Sequence, residues 1–199
     1  MIWRRGRYLE DAETTARMLV GAVLVRKTTE GEMAVVITET EAYGGSFRGV
    51  PDDSCHAFKG CTPRTEVMFG PGGYAYVYLI YGMYCCLNLV TGAEGIPGGV
   101  LIRAGMPLAG LKLIKKNRPG IQGYALTAGP GRLCRALQID RSFNKYDMTA
   151  GGDMYIEDSL QKNPPQIDVS TRIHVDYAPL SHSFPWRFTL RDCPWISKG

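Results

Sequence analysis

The sequence predicts an α+β fold in which helices flank a curved, largely antiparallel β-sheet. Patterns typical of strands occur in runs, with helical patterns at their ends, and this arrangement argues against alternating βαβ units. The strand patterns are rich in β-branched and aromatic residues. The chain has 199 residues, of which 45% are hydrophobic, so it is long enough to bury a full core and short enough to form one domain. We therefore expect a single domain over residues 1–199.

The first expected elements are a helix and a β-hairpin. Apolar residues recur on one side of a helix over residues 10–19, Asp11 is suited to cap its start, and Gly21 marks its end. Residues 22–26 and 33–41 then alternate with period two on either side of a polar turn. This alternation about a turn is the pattern of a hairpin.

The middle of the chain predicts a long loop and three further strands. Residues 44–59 contain few apolar residues and no periodicity, which indicates a surface loop, and loops of this length in compact domains are often functional. Strands are expected at residues 74–79, 84–90 and 99–104. The turn between the first two contains Tyr81-Gly82.

The last part of the chain combines short helices with short strands. Residues 108–116 are amphipathic, as expected of a helix, and the segment Gly129-Pro130-Gly131-Arg132 opens a second helix that runs to Leu137. Short strands are expected at residues 153–157, 172–175 and 187–190.

The charge and hydropathy of the chain narrow its functional class. Lys and Arg number 23 against 19 Asp and Glu, and the resulting net charge of +4 suits a polyanionic partner without requiring one. The longest uncharged apolar stretch, residues 75–90, contains several tyrosines and Gly82, so we expect no membrane helix. The first residues do not lead into an apolar signal core. We expect the protein in the cytoplasm, associated with the nucleoid, if the source is bacterial, and in the nucleus if it is eukaryotic.

Cysteine and histidine spacing argues against a metal site. None of the six cysteines forms the two-residue-gap pair that structural zinc sites and thioredoxin-like redox sites need. The three histidines are scattered along the chain. We expect reduced thiols, no metal and no cofactor.

Two glutamates end the second strand of the predicted hairpin. Strict alternation places Val35, Ile37, Glu39, Glu41 and Tyr43 on one face of that strand. Burying a carboxylate without a partner costs several kcal/mol, roughly, so such a group has either a salt bridge or a chemical task. A pair of carboxylates also invites an O-glycosidase interpretation, but neighbours on one strand face are only about 7 Å apart and do not bracket a scissile bond.

A single acting glutamate is the more economical interpretation. Cleavage of a nucleoside N-glycosidic bond builds positive charge on the sugar while negative charge moves to the departing base. One carboxylate near C1′ can stabilise that cation and accept a proton from the attacking water.

Tyrosines follow the glutamates along the chain. Tyr74, Tyr76 and Tyr78 share a strand face, and ordinary sheet packing explains Tyr74 and Tyr76. Tyr81 lies at the predicted hairpin tip, where an exposed aromatic side chain is suited to wedge into a stack of bases. His56 on its own would be a loop histidine bound to backbone or water, and it gains interest only from these neighbours.

Many ordered motifs resemble the alkyladenine (3-methyladenine) DNA glycosylase family. The matching segments cover nearly the whole chain and are Thr38-Glu39-Thr40-Glu41-Ala42-Tyr43, Ser54-Cys55-His56, Thr62-Pro63-Arg64, Met68-Phe69, the run from Tyr76 to Tyr84, Asn88, Val100-Leu101-Ile102-Arg103-Ala104, Gly129-Pro130-Gly131-Arg132-Leu133-Cys134, Pro185-Trp186-Arg187-Phe188 and Pro194-Trp195-Ile196-Ser197. The resemblance implies a monofunctional, monomeric enzyme of base excision repair. It would flip damaged purines from double-stranded DNA and leave an abasic site without cutting the strand.

The resemblance also implies roles for residues at matching positions. Glu41 would activate the water, and Arg103 would hold the flipped nucleotide near it. The base would lie in a pocket formed by Tyr43, His56, Tyr78 and Asn88, where Asn88 disfavours normal guanine by crowding its exocyclic amine. The substrates implied are 3-methyladenine, 7-methylguanine, hypoxanthine and ethenoadenine.

Other matching positions imply contacts with DNA. Tyr81, on a protruding β-hairpin, would insert into the duplex and fill the gap left by the flipped nucleotide. The DNA backbone would be contacted by Arg64, Gly131 and Arg132. The chain departs from the family pattern at Thr65-Glu66, at His174, where glycine is usual, and in the loop at residues 44–51.

Strand register yields a structural prediction. If Tyr78 and Asn88 both face the pocket, the hairpin needs an odd-numbered loop or a bulge, because a two-residue turn would pair Tyr78 with Cys85 and turn Asn88 to the opposite face.

Three other functions remain open at this point. A non-catalytic nucleic-acid binder could use the same tyrosines for stacking but needs no carboxylate at the pocket. A hydrolase of free nucleosides needs no exposed wedge and should show no salt-dependent affinity for DNA. A structural protein would leave the cluster of carboxylates and aromatic residues unexplained.

Overall fold

A large antiparallel β-sheet lies at the centre of the protein, with α-helices packed against it. The computed structural model describes residues 1–160 and 163–198. The helices are α1 (Ala12–Leu19), α2 (Leu111–Asn117) and α3 (Pro130–Ala136). The strands are β1 (Val23–Thr28), β2 (Gly31–Tyr43), β3 (Ser46–Phe47), β4 (Val50–Pro51), β5 (Ala75–Ile80), β6 (Tyr84–Val90), β7 (Gly99–Ala109), β8 (Met154–Glu157), β9 (Ile167–Ser170) and β10 (Arg187–Leu190).

The strands of the main sheet run in the order β5-β6-β7-β2-β1-β8. The long strand β2 pairs with β1 through its first half and with β10 through residues 39–41, and β9 in turn pairs with β10. These neighbouring strands are antiparallel. The predicted α+β fold on an antiparallel sheet is therefore confirmed.

Helix α1 begins where the sequence predicts a cap. The Asp11 carboxylate accepts a hydrogen bond of 2.7 Å from the Thr14 amide, which satisfies one of the free N–H groups at the helix start. Ala16 and Leu19 on its inner side are fully buried in the main core. The chain turns to an extended conformation at Val20, and Gly21 follows with a φ of 86°.

A β-bulge in β2 overturns the strict alternation expected for that strand. The register with β7 shifts between Ile37 and Glu39 and again between Glu39 and Thr40. As a result Ile37 and Ala42 both lie in the main core, although strict alternation would place them on opposite faces. Tyr43 belongs to a second cluster. The prediction that Val35 and Ile37 share a face with Glu39, Glu41 and Tyr43 is wrong, because an inserted residue reverses the faces that follow it.

One further prediction fails, and a second segment has more structure than was expected. Residues 172–175 form no strand, and the strand in this region is β9, which pairs with β10. The loop at residues 44–59 is largely exposed, as expected, and β3 and β4 form a small hairpin within it that was not predicted. Asp52, Ser54, Cys55 and Ala57 in the same loop are buried.

The hairpin of β5 and β6 has the register needed to bring two predicted pocket residues to one face. Ile80 pairs with Tyr84, so the loop contains three residues, and the expectation of an odd-numbered loop is confirmed. Tyr78 therefore pairs with Cys86, and Asn88 pairs with Tyr76 two positions away. Since paired residues project to the same side of a sheet, Tyr78 and Asn88 share a face.

The cap of α1 gives a test of the fold. Asp11→Ala should lower the free energy of unfolding by about 1 kcal/mol, because the Thr14 amide loses its acceptor. Denaturant unfolding measures the change. The neighbouring variant Glu10→Ala is the control and should stay within about 0.5 kcal/mol of the parent protein. Equal effects of the two variants would contradict the assigned cap.

Candidate active site

One row of paired residues crosses the sheet beneath the candidate site. Tyr76 pairs with Asn88, Asn88 with Leu101, Leu101 with Glu41, and Glu41 with Arg187. Paired side chains project to one face, and adjacent strands are about 4.8 Å apart, so the row places a tyrosine and a carboxylate roughly 14 Å apart with an asparagine and a leucine between them. This face therefore joins the aromatic residues of β5 to the carboxylates of β2.

Glu41 is the carboxylate of this row, and its exposed fraction is 0%. One carboxylate oxygen, Oε2, accepts hydrogen bonds from the Tyr43 hydroxyl at 2.8 Å and from the Arg103 guanidinium at 3.0 Å. The other, Oε1, accepts a hydrogen bond of 2.7 Å from the Ile173 amide. These three donors compensate the cost of burying the charge.

Tyr43 acts as a hydrogen-bond donor to Glu41. Burial and the adjacent Glu41 charge raise the pKa of the Tyr43 phenol well above its ordinary value, so the phenol keeps its proton. The fixed hydroxyl aligns Tyr43 beside the carboxylate at the end of β2.

Arg103 links the two buried glutamates. Its Nε donates to Glu39 at 3.2 Å, while Nη1 donates to Glu41. Burial disfavours the cation, but the charges of Glu41 and Glu39 outweigh burial and raise the pKa of Arg103. Arg103 therefore remains charged beside Glu41 in the unbound protein. The structure brings these residues together, and contact of Arg103 with a flipped nucleotide stays a prediction.

Glu39 has its own set of partners. Arg187 donates to Glu39 at 2.7 Å, and both the backbone amide and the hydroxyl of Ser197 donate to it, at 2.6 and 2.8 Å. The second glutamate of the pair is thus occupied by two arginines and by the chain near its end. This arrangement fits a supporting role for Glu39.

His56, Tyr76 and Tyr78 form an aromatic cluster on the same face. The ring centroids of His56 and Tyr78 are 4.7 Å apart, and those of Tyr76 and Tyr78 are 5.2 Å apart. The Tyr76 hydroxyl lies 3.0 Å from Nδ1 of His56. Sequence reasoning assigned Tyr76 to sheet packing alone and missed this contact, although its two-residue spacing from Tyr78 was the signal that both face the same side.

Asn88 lies on the pocket face between the tyrosines and Leu101. It is 7% exposed, and its Nδ2 donates to the Tyr76 carbonyl at 3.1 Å. The hydrogen bond fixes the side-chain amide against β5. The side-chain amide is therefore held in one orientation on the face that it shares with Tyr78.

Arg64 contacts this aromatic cluster. Its guanidinium lies 5.2 Å from the centre of the Tyr78 ring, and one of its nitrogens is 3.5 Å from Nε2 of His56. Contacts that desolvate the imidazole, together with the Arg64 charge, lower the pKa of His56 to about 4. His56 is therefore neutral at neutral pH.

An open cleft lies along the outer edge of the aromatic cluster. Its volume is about 440 Å³, and it is lined by Pro63, Arg64, Tyr76, Val77, Tyr78, Leu79, Arg141 and Asn144. Strand β5 is the edge strand of the sheet here, and the Asn144 side chain accepts a hydrogen bond from the Val77 amide. Two arginines thus line a surface next to the candidate pocket.

Tyr81 occupies the tip of the hairpin. The side chain is 78% exposed and its φ is 53°, a left-handed conformation uncommon for a residue other than glycine. Met83 beside it is also exposed. The tip therefore projects an aromatic ring from the surface, as expected from the sequence, and insertion of the ring into DNA stays a prediction.

The glycine-rich start of α3 has a packing role. A Cβ atom on Gly131 would lie 2.9 Å from Cβ of Tyr84, so only glycine allows this close contact with β6. Arg132 donates to the Ala128 carbonyl at 3.2 Å. These contacts explain the motif within the unbound protein, and contact of Gly131 and Arg132 with DNA remains a prediction.

The departures from the family pattern have local partners. The hydroxyl of Thr65 accepts a hydrogen bond from the Thr62 amide at 2.9 Å and donates to the Gly60 carbonyl at 3.2 Å. Glu66 forms an ion pair with Lys145. His174 has a φ of 60°, and it directly follows Ile173, whose amide binds Glu41.

Within residues 1–160 and 163–198, no three His, Cys, Asp or Glu side chains are grouped as a metal site would require. Within the same ranges, no helix has the length and apolar character of a membrane span.

Comparison with known proteins points to one family. Residues 6–194 match the family model described as methylpurine-DNA glycosylase (MPG). A relative from Methanocella arvoryzae is 47% identical over 184 residues, covering 92% of this chain and 89% of the relative. A relative from Desulfitobacterium hafniense is 41% identical over 199 residues, with coverage of 96% and 95%. Both relatives carry the name "Putative 3-methyladenine DNA glycosylase".

The contact between Arg64 and His56 gives a test of the site's electrostatics. Arg64→Ala should raise the pKa of His56 from about 4 towards its usual 6.5, because a neighbouring positive charge no longer opposes protonation. The rise should be partial, since desolvation is the larger cause of the lowered pKa. NMR titration of the imidazole measures it. Arg132→Ala is the control, and an unchanged His56 pKa in Arg64→Ala would contradict the assignment.

Proposed function

The chain belongs to the methylpurine-DNA glycosylase family, and from this we propose that it is a monofunctional, monomeric glycosylase of base excision repair. It is a DNA-3-methyladenine glycosylase, a hydrolase of N-glycosyl compounds. The substrates are 3-methyladenine, 7-methylguanine, hypoxanthine and ethenoadenine in double-stranded DNA. One domain over residues 1–199 carries the activity without a cofactor, in the nucleoid region of a bacterial cytoplasm or in a eukaryotic nucleus.

The observation that carries this proposal is the hydrogen bonding of Glu41. A carboxylate has about four lone-pair sites, two on each oxygen. Tyr43 and Arg103 occupy both sites on Oε2, and Ile173 occupies one site on Oε1. In the part of the chain that the structure describes, one site on Oε1 thus lacks a donor. We assign the attacking water to that site, which the water reaches only when the site opens, because the Glu41 side chain has no exposed surface in this structure.

The reaction follows from this geometry. A water molecule donates a hydrogen bond to Oε1 of Glu41 and attacks C1′ of the flipped nucleotide. The bond between C1′ and the base breaks, its electron pair leaves with the base, and the proton of the water passes to Glu41. A purine methylated at N3 or N7 carries a positive charge before cleavage, so it departs as a neutral base. Hypoxanthine and ethenoadenine are neutral before cleavage, so each departs as an anion that takes up a proton from water.

Arg103 supports this chemistry without taking part in proton transfer. It stays protonated beside both glutamates, and its pKa is raised by their charges. This fixed cation lies beside the Glu41 carboxylate, and the carboxylate stabilises the positive charge that develops on the sugar. Positioning of the flipped nucleotide by Arg103 is part of the same proposal.

Base selection rests on the aromatic residues and Asn88. The rings of Tyr43, His56 and Tyr78 offer flat faces for an extruded purine, and an electron-poor alkylated ring stacks well on them. The Asn88 amide is held by the Tyr76 carbonyl. We assign to Asn88 the exclusion of normal guanine, whose exocyclic amine would crowd a side chain that cannot move aside.

Flipping depends on the hairpin tip in this proposal. Extruding a base costs a few kcal/mol, roughly, and each stacking contact with an aromatic residue returns about 1–3 kcal/mol. Tyr81 would fill the vacated space in the duplex while the pocket holds the base. Support comes from the exposure of Tyr81. Arg64, Gly131 and Arg132 are the proposed contacts to the DNA backbone.

Replacing the proposed general base tests the mechanism. Glu41→Gln should still bind lesion-containing duplex but should lose at least about 100-fold in the single-turnover rate of base release, since an amide cannot accept the proton. Release of a labelled base and a DNA-binding titration measure the two properties. Near-normal excision by Glu41→Gln would refute the mechanism.

A matched variant separates Glu41 from its neighbour. Glu39→Gln alters a carboxylate that is equally buried and bound to the same arginine. Glu39→Gln should destabilise the protein, because Glu39 binds Ser197 and Arg187. It should slow excision much less than Glu41→Gln does. A larger loss of excision in Glu39→Gln would reverse the assignment.

The hairpin tip is tested by comparing lesions in different pairs. Tyr81→Ser should slow excision more for a lesion in a stable base pair than for the same lesion in a mismatch, because only the stable pair needs the full wedge. Leu108→Ser, a change of an exposed apolar side chain at the far end of β7, is the control. Equal losses across both duplexes would argue against a wedge.

A further inference from the structure

Asp52 and Arg172 form an ion pair whose side chains have no exposed surface. The contact is bidentate, with Nη1 and Nη2 of Arg172 each 2.9 Å from one oxygen of Asp52. Burial alone would favour the neutral acid, but the Arg172 contacts outweigh burial and lower the pKa of Asp52. The pair is therefore ionised at neutral pH and is fixed in both distance and orientation.

Each partner of the ion pair holds a segment that forms part of the site. Asp52 accepts hydrogen bonds from the Gly44 amide at 2.8 Å, just after Tyr43, and from the Ser54 hydroxyl at 2.6 Å, two residues before His56. Asp52 thus holds the loop that connects Tyr43 to His56, two of the residues proposed to line the pocket.

Arg172 holds two further parts of the backbone. It donates to the Ala42 carbonyl at 2.9 Å, between Glu41 and Tyr43, and to the Ser181 carbonyl at 3.0 Å. Its guanidinium also lies 4.8 Å from the centre of the Tyr43 ring. The next residue, Ile173, donates its amide to Glu41 at 2.7 Å.

We propose that Arg172 is a positioning residue for base excision. Its ion pair with Asp52 holds the Ile173 amide against Oε1 of Glu41 and fixes the Tyr43 ring beside the same carboxylate. The inference rests on the proposed function. It goes beyond that function because the Arg172 side chain has no exposed surface and would act only through the Ile173 amide and Tyr43.

The ion pair of Arg172 and Asp52 contributes more to the orientation of the site than to the stability of the protein. A buried ion pair contributes little net stability compared with well-packed apolar residues, since desolvation offsets its attraction. Its contribution here is to fix the orientation of neighbouring segments. Four hydrogen bonds from the Arg172 guanidinium connect its own segment, which binds Glu41, to the end of β2 at Ala42, to the loop at Asp52 and to the Ser181 carbonyl. A general base must be held within about 0.5 Å of its productive position to act efficiently.

The test uses Arg172→Lys, which keeps the charge opposite Asp52 but cannot reproduce the planar, bidentate contacts. We expect the affinity for lesion duplex to stay within about threefold, while the single-turnover excision rate falls by about 10-fold to 100-fold. The acidic limb of the rate-versus-pH curve should also move to higher pH, because an amide hydrogen bond that favours the ionised carboxylate is weakened.

Asp53→Asn is the matched control. Asp53 belongs to the same loop and binds the amides of Leu180 and Ser181, but it contacts neither Arg172 nor Glu41. Its loss should lower stability without moving the acidic limb. If Arg172→Lys does not fold, Asp52→Asn is measured in its place, with the same expected shift.

The outcomes separate this inference from the function on which it rests. If the parent protein releases no base from lesion duplex, the proposed function fails. If the parent is active and Arg172→Lys keeps the parent's excision rate and the acidic limb of its rate-versus-pH curve, the inference is overturned. A parallel loss of rate and DNA affinity with an unmoved limb also overturns it, since that pattern reports general loss of structure.

Discussion

The structure depends on the compensation of a buried negative charge at Glu41. A fully buried carboxylate without partners would cost several kcal/mol, roughly, and would take up a proton instead of remaining ionised. A phenol, a guanidinium and a backbone amide donate to it, and they come from β2, from β7 and from a segment more than 130 residues later in the chain. The fold brings these distant segments together at one point.

The sheet supplies most of this convergence. Pairing across four strands sets Tyr76, Asn88, Leu101 and Glu41 in one row, so the aromatic side and the carboxylate side of the site have a fixed separation. The bulge after Ile37 is equally important, because it moves Glu39, Glu41 and Tyr43 away from the face that carries the main core. Without the bulge, β2 would direct Glu41 into the core among apolar side chains.

Local signals allowed much of the fold and part of the site to be predicted from the sequence. The cap at Asp11 and the first hairpin follow from short-range patterns. The odd-numbered loop after Ile80 was predicted from the condition that Tyr78 and Asn88 face the same side. The bulge was missed because an inserted residue leaves no mark in a hydrophobic pattern until the partner strand is known. The strand expected at residues 172–175 was wrong, because Arg172 binds Asp52 and carbonyl oxygens of the backbone instead of joining a ladder.

One hydrogen-bond partner of Glu41 could not be predicted from the sequence. Resemblance to a family pointed to Glu41 and Arg103, but a backbone donor such as the Ile173 amide has no side-chain signature. The proposed mechanism requires Glu41 to be a carboxylate when a lesion occupies the pocket. This is measured from the ¹³C NMR signal of the Glu41 carboxyl group in a complex with duplex carrying a non-cleavable lesion analogue at neutral pH. We expect the chemical shift of a carboxylate, and the shift of a protonated acid would rule out Glu41 as the general base.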